Sequence, residues 1–202
     1  LLPNGLRRFR WAYIEIPKKN GKTFFAAILL LILLCADGEP NPEVYTAATS
    51  RNQAAICLRY AMKIVSASPK LQRSLRVIES TNRIVFDAAG GFLTSVSSEA
   101  GVSEGLNANG VVLDELHVHK KRKLYDTFKY AGASRQQPLF IVITTAGEGD
   151  RESIGWEAHE YASKILRGTV DNIRQFARIY SADCDGTTYF ERQTKDGKKQ
   201  PA

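Results

Sequence analysis

Apolar positions along this chain follow two periods, and the switching between them lays out the elements. Short runs rich in β-branched and aromatic residues at 11–16, 43–48, 83–86, 92–96, 110–113, 139–143 and 174–181 have the length and composition of strands. Helical spacing marks the stretches between them. Residues 24–36, FFAAILLLILLCA, are apolar all round, as in a helix buried between a sheet and its neighbours. From Ser50, which supplies a cap, to about residue 67, Ala54, Cys57, Leu58, Ala61, Ile64 and Val65 recur on one face. Pro69 breaks that helix, and residues 70–77 read as a shorter, basic helical segment. A basic run at 120–123 leads another helix to about residue 131, and an amphipathic helix at 154–166 is closed by Gly168. Asp87-Ala-Ala-Gly-Gly91 has the composition of a hairpin turn, and 97–109, rich in Ser, Gly, Asn and Glu, that of an exposed loop. This alternation implies an α/β fold. The 202 residues suit one such domain, reaching to about residue 182, with polar 183–202 expected to be a flexible tail.

Composition narrows the picture. The apolar fraction of 44% and charged fraction of 24% exclude a wholly disordered chain. The apolar run at 24–36 is too short to span a bilayer core of roughly 30 Å, so no membrane role is expected. Cys35, Cys57 and Cys184 lie far apart without zinc or disulfide spacing, as expected in a reducing cytosol. With Met62 the only methionine, the chain reads as a fragment of something longer. The formal charge of +7 points to an anionic partner; Arg7, Arg8 and Arg10, and the run 120–123, are either phosphate contacts or solvated edges.

The candidate chemistry begins at Ile14-Glu-Ile-Pro-Lys-Lys-Asn-Gly-Lys-Thr23, a strand ending in a loop that opens the apolar helix. Unpaired N–H groups at a helix N-terminus attract an anion, Lys22 has the reach for β- and γ-phosphates, and the Thr23 hydroxyl suits Mg2+. The P-loop pattern asks for glycine five residues before Gly21, where Ile16 stands, so the stretch also reads as a basic turn with an asparagine–glycine corner. A second motif favours the phosphate loop. Gly110-Val-Val-Leu-Asp-Glu115 places two acids at the carboxyl end of a buried strand, where open α/β sheets bind ligands. Asp114 is suited to hold Mg2+ and Glu115 to deprotonate an attacking water. Thr144-Thr145-Ala146-Gly147, at the tip of a further strand, is suited to sense a γ-phosphate. His117 and His119 lack a third ligand at useful spacing and read as loop residues.

In order and spacing, these motifs resemble the large terminase subunit of tailed bacteriophages over residues 6–168. The likeness rests on Arg7-Arg-Phe-Arg10, the Pro17 to Thr23 loop, Tyr45-Thr-Ala-Ala-Thr49 with Gln53-Ala54, Ser103-Glu-Gly-Leu-Asn107, Val112-Leu-Asp-Glu-Leu-His117 and Thr144-Thr-Ala-Gly147. The resemblance implies a RecA-like P-loop ATPase of the ASCE type, with a central, mainly parallel sheet flanked by helices. It implies ATP and Mg2+ at Pro17, Lys18, Lys19, Asn20, Gly21, Lys22 and Thr23, with Thr23 and Asp114 on the metal. Glu115 becomes the catalytic base, Lys22 and Lys18 act on the phosphates, and Thr144, Thr145, Ala146 and Gly147 form the coupling motif. The family loop lacks the first glycine, which accounts for Ile16. It usually carries arginine after the proline, where Lys18 keeps the charge without the bidentate fork.

Implied partners are double-stranded viral DNA, the portal, the small terminase subunit and further copies in a homo-oligomeric ring, in the host cytoplasm. An adenine-contacting segment is expected before Leu1 and a nuclease domain beyond Ala202, so this chain should not cut DNA. A neighbouring subunit's arginine is expected to complete the site. Two other readings stand beside this one. Asp114-Glu-Leu-His117 also resembles a DEAD/DEAH helicase box, and the chain is also readable as a nucleotide- or DNA-binding prophage remnant without turnover.

Overall fold

Strand side chains alternate between two faces, and here each face supplies its own core. The computed structural model describes residues 1–100, 105–119, 122–147, 150–182 and 188–190. In chain order the elements are β1 (Trp11–Glu15), α1 (Lys22–Cys35), β2 (Glu43–Ala48), α2 (Arg51–Ala67), α3 (Pro69–Gln72), β3 (Arg76–Ile78), β4 (Arg83–Phe86) and β5 (Gly91–Ser97). There follow β6 (Gly110–Asp114), α4 (Lys123–Tyr130), β7 (Leu139–Thr144), α5 (Ile154–Leu166), β8 (Gln175–Ala182) and β9 (Thr188–Phe190).

The strands lie in the order β3-β4-β5-β2-β6-β7-β1-β8-β9. From β5 to β8 every neighbouring pair is parallel; β3, β4 and β9 add antiparallel edges. On β6, Val112 points into a core with Leu30 and Leu34 of α1 and Leu58 and Val65 of α2. Its neighbours Val111 and Leu113 enter a second core with Leu124 and Phe128 of α4 and Ala158 and Ala162 of α5. β7 divides likewise, Ile141 and Ile143 to the first core, Phe140 and Val142 to the second. The sheet is therefore the middle of three layers, as an α/β sheet covered on both faces requires.

Several expectations hold with a reason attached. Ser50 caps α2 by accepting the Gln53 N–H at 3.3 Å. β4 and β5 pair antiparallel across a single 3-10 turn, Asp87–Ala89. The apolar α1 is buried under α2, although Phe24, Phe25 and Ile32 form an open edge rather than a fully covered helix. Residues 70–77 need correction. Helix persists only through Gln72, started by Pro69 and the Ser68 cap, because Arg76–Ile78 pairs with β4 as an edge strand instead. Of the tail, Thr188–Phe190 pairs with β8 and the remainder lies outside the described residues, as do Cys184, residues 101–104 of the expected loop, and Lys120 and Lys121. Among the described residues no helix is long and apolar enough to cross a membrane.

Candidate nucleotide site

Because β6, β7 and β1 are adjacent and parallel, their carboxyl ends open on one edge, with Glu15 beside Thr144 and Asp114 beside Ile143. β1 continues in register for one residue, the Ile16 N–H donating to the Thr144 carbonyl at 2.9 Å, and then the chain turns away into the loop. Lys19 and Gly21 both have positive φ, at 67° and 70°, a geometry that turns successive N–H groups toward a common centre. The Asn20 amide braces the loop by donating to the Pro17 and Lys18 carbonyls, each at 3.3 Å. Gly21 is the N-cap of α1 and brings no side chain to cap it, so the first amides of a fourteen-residue helix are left for an anion.

Lys22 is only 8% exposed, and its Nζ lies 3.6 Å from Glu115 Oε1. Glu115 itself is held left-handed, φ 53°, with its N–H on the Ile143 carbonyl at 2.9 Å. The other carboxylate oxygen, Oε2, accepts from Thr145 Oγ1 at 3.2 Å and lies 3.1 Å from His117 Nδ1. His117 Nδ1 is also 3.0 Å from Thr144 Oγ1. The predicted base and coupling motif are thus in direct contact. Asp114 is buried beside them, with no hydrogen-bond partner for Oδ1. Burial, with the charge of Glu115 added and that of Lys22 opposing, pushes its carboxyl up to about 6. A buried carboxylate oxygen without a donor, next to an uncapped helix start, fits a cation bound with an anion.

The remaining candidates fall around this cluster. Thr23 is half-buried on the first turn of α1; Lys18 and Lys19 are exposed. Lys18, Ala146 and Gly147 line a cleft of about 990 Å³ that also takes in Glu15, Thr144, Thr145, His117, Trp156 and His159. His119 turns elsewhere, buried with Nε2 3.4 Å from the Asp114 carbonyl, so the two loop histidines do not converge.

Glu15 and His159 were not among the candidates. Glu15 is 5% exposed, accepts from Tyr13 Oη at 2.7 Å and lies 2.8 Å from His159 Nδ1. The available signal was register: an acid at the third of positions 11, 13 and 15 falls where β1 faces the second core. Arg7, by contrast, lies before β1, at the opposite edge from the loop, and is ion-paired with Asp37, so it does not serve the nucleotide site.

Comparison with known proteins fits this geometry. The family profile for "Terminase large subunit, ATPase domain" matches residues 3–164. The chain belongs to that family. The large terminase subunit of Enterobacteria phage HK97 is 31% identical over 144 residues, which are 70% of this chain and 29% of that protein. Protein YmfN of Escherichia coli K12 is 34% identical over 95 residues, 47% of this chain and 20% of that protein. The HK97 crystal structure superposes with a TM-score of 0.74 at 25% identity, covering 89% of this chain and 37% of that one. The large terminase of a thermophilic bacteriophage, solved in complex with ADP, matches in fold, with a TM-score of 0.53 at 13% identity over 84% of this chain and 39% of that one. The terminase chain described here thus spans less than a third of the curated relatives it matches. Its fold is that of the ASCE P-loop terminase ATPases, with β7, which ends at the threonine pair, set between the loop strand β1 and the acid strand β6.

Proposed function

We propose that this domain is the ATPase motor of a terminase large subunit, coupling Mg-ATP hydrolysis to translocation of double-stranded viral DNA into a prohead. The observation that carries the reading is the contact of Lys22 with Glu115 at an uncapped helix N-terminus, beside the unpartnered Asp114 oxygen. The amides of the loop and first turn of α1 would take the β- and γ-phosphates, and Lys22 would exchange Glu115 for phosphate oxygen. Glu115, released from the lysine, would accept the proton of the water whose oxygen bonds to the γ-phosphorus as the bond to the ADP oxygen breaks. Mg2+, held by Thr23 and Asp114, would neutralise phosphate charge. Thr145 and His117 hold the other side of Glu115, so a change at the carboxylate is felt at the end of β7.

The reading assigns the domain to a homo-oligomeric ring in the host cytoplasm, acting with the portal and the small terminase subunit. Its test is calorimetric binding of Mg-ATP to the parent chain and to Lys22→Ala. Binding in the parent that is lost in the variant is expected; equal binding in both would remove the phosphate-loop assignment. Glu115→Gln should keep binding and lose phosphate release by roughly 10²-fold or more.

A further inference from the structure

Nearly all the net charge of the chain lies in one stretch. Between Val44 and Ile78 stand Arg51, Arg59, Lys63, Lys70, Arg73 and Arg76 with no Asp or Glu, whereas the other 22 Lys and Arg face 21 acids. All six are exposed, along α2, α3 and the start of β3. Several cations elsewhere are neutralised within the fold, Arg7 by Asp37, Arg122 by Asp126 and Glu157, and Arg135 by Glu43. On the α2–α3 face Arg76 pairs with Asp87, but among the described residues no ion pair joins Arg59, Lys63, Lys70 or Arg73. Arg59 and Lys63 are moreover one turn apart, a like-charge pair that weakens a helix, and α2 contains no acid to offset it. An external polyanion would offset it.

The chemistry around these cations suits phosphate. Tyr60, 42% exposed, lies under the Lys63 ammonium, 5.9 Å from nitrogen to ring centre, and presents a flat amphipathic surface between two cations. Beyond the end of α2 the lining of a groove of about 600 Å³ includes the hydrogen-bond donors Ser66, Gln72, Arg73, Ser74 and Arg76, together with the Asp87 carboxylate that pairs with Arg76. The exposed rings at this face, Tyr60 and Phe24, meet edge-on with centroids 6.4 Å apart at 81° and so offer no parallel platforms for successive bases; dispersed cations with hydroxyls and amides fit a duplex backbone better.

We propose that duplex DNA lies with its phosphates against this face, on Arg59, Lys63, Lys70 and Arg73, in contacts that do not read sequence. The identity of the polyanion rests on the terminase reading above; the surface itself rests on the charge distribution.

The test is fluorescence anisotropy of a labelled duplex of arbitrary sequence, titrated with the parent chain between about 50 and 200 mM salt. It is repeated with the triple variant Arg59→Ala, Lys63→Ala, Arg73→Ala, and with a control of equal charge, Lys123→Ala, Lys164→Ala, Arg167→Ala. The α2–α3 variant should bind at least tenfold more weakly. The slope of log K against log salt should shrink by roughly 0.9 per lost phosphate contact, about 2 to 3 in all, with the control unchanged. Equal loss in both variants, or none in either, would overturn the surface and leave DNA as partner. No duplex binding by the parent would also overturn it, and Mg-ATP binding, measured on the same samples, would judge the ATPase reading separately. Salt-sensitive self-association that the α2–α3 variant abolishes, without duplex binding, would assign the face to a neighbouring copy instead.

Discussion

Glu15 shows how a side chain outside the motifs is fixed by its neighbours. Burial by itself raises a carboxyl above its ordinary 4.5, but the hydrogen bonds from His159 and Tyr13, with the histidine's charge, outweigh it and hold Glu15 lower. His159 is raised above its ordinary 6.5 by the hydrogen bond and charge of Glu15, against the effect of its burial. The histidine's contribution to stability is complete below about 6.5 and is lost as pH rises through the raised folded value. That of the glutamate is complete above about 4.5 and is lost as pH falls through the lowered one. Together they stabilise most between those values. His159→Ala should therefore cost about 1–3 kcal/mol, because Glu15 is left with Tyr13 alone. Urea midpoints across a pH series should show the largest gap between parent and variant near pH 5.5, and a gap that shrinks as pH rises through the raised folded value of His159; a gap constant with pH would refute the pairing.

At the scale of elements, α5 is the connection between the nucleotide edge and the rest of the fold. Its second residue, Gly155, is pressed against the turn that follows Glu115: a Cβ there would stand 2.8 Å from the His117 Cα, which is backbone and cannot swing aside. Gly155→Ala should push α5 and that turn apart, at about 1–3 kcal/mol, a fall in melting temperature of roughly 2–12 °C for a domain of this size. Since the displaced turn holds Glu115 and not the phosphate loop, phosphate release should fall while Mg-ATP affinity stays near the parent's. A variant that loses affinity and turnover together would place the strain elsewhere.

This contact marks the limit of what the chain discloses locally. The strands β1, β2, β6 and β7 and the helices α1, α2 and α5 were legible because each carries its own period, cap or breaker, and Lys22, Asp114, Glu115 and Thr145 because loop and strand-end chemistry place them at one sheet edge. Hidden were β3, a three-residue edge strand whose order depends on pairing with β4, and the Glu15–His159 pair, whose partners are 144 residues apart and meet only when α5 docks. The open edge of α1 at Phe24 and Ile32 was hidden for the same reason, since an all-apolar sequence does not say which of its faces is covered.

For the whole molecule, one sheet divides two cores yet ties them together, because alternate residues of the same strand belong to each. Val111 and Val112 are neighbours in sequence and lie in opposite cores, as do Phe140 and Ile141. Neither helical layer has a face to pack on once the sheet is lost, so the two should not melt separately. Leu30, fully buried under α2, and Phe128, 2% exposed on the other side, probe this directly. Leu30→Ala should cost about 2–5 kcal/mol and Phe128→Ala about 3–5. The costs should add to within about 0.5 kcal/mol, since the sheet separates the two sites. Each variant should move one cooperative transition, with far- and near-ultraviolet circular dichroism coinciding throughout. If Leu30→Ala instead produced an early transition in one signal while the packing around Phe128 survived, the two faces would be independent folding units. Events at the nucleotide edge would then have no rigid sheet through which to reach α5.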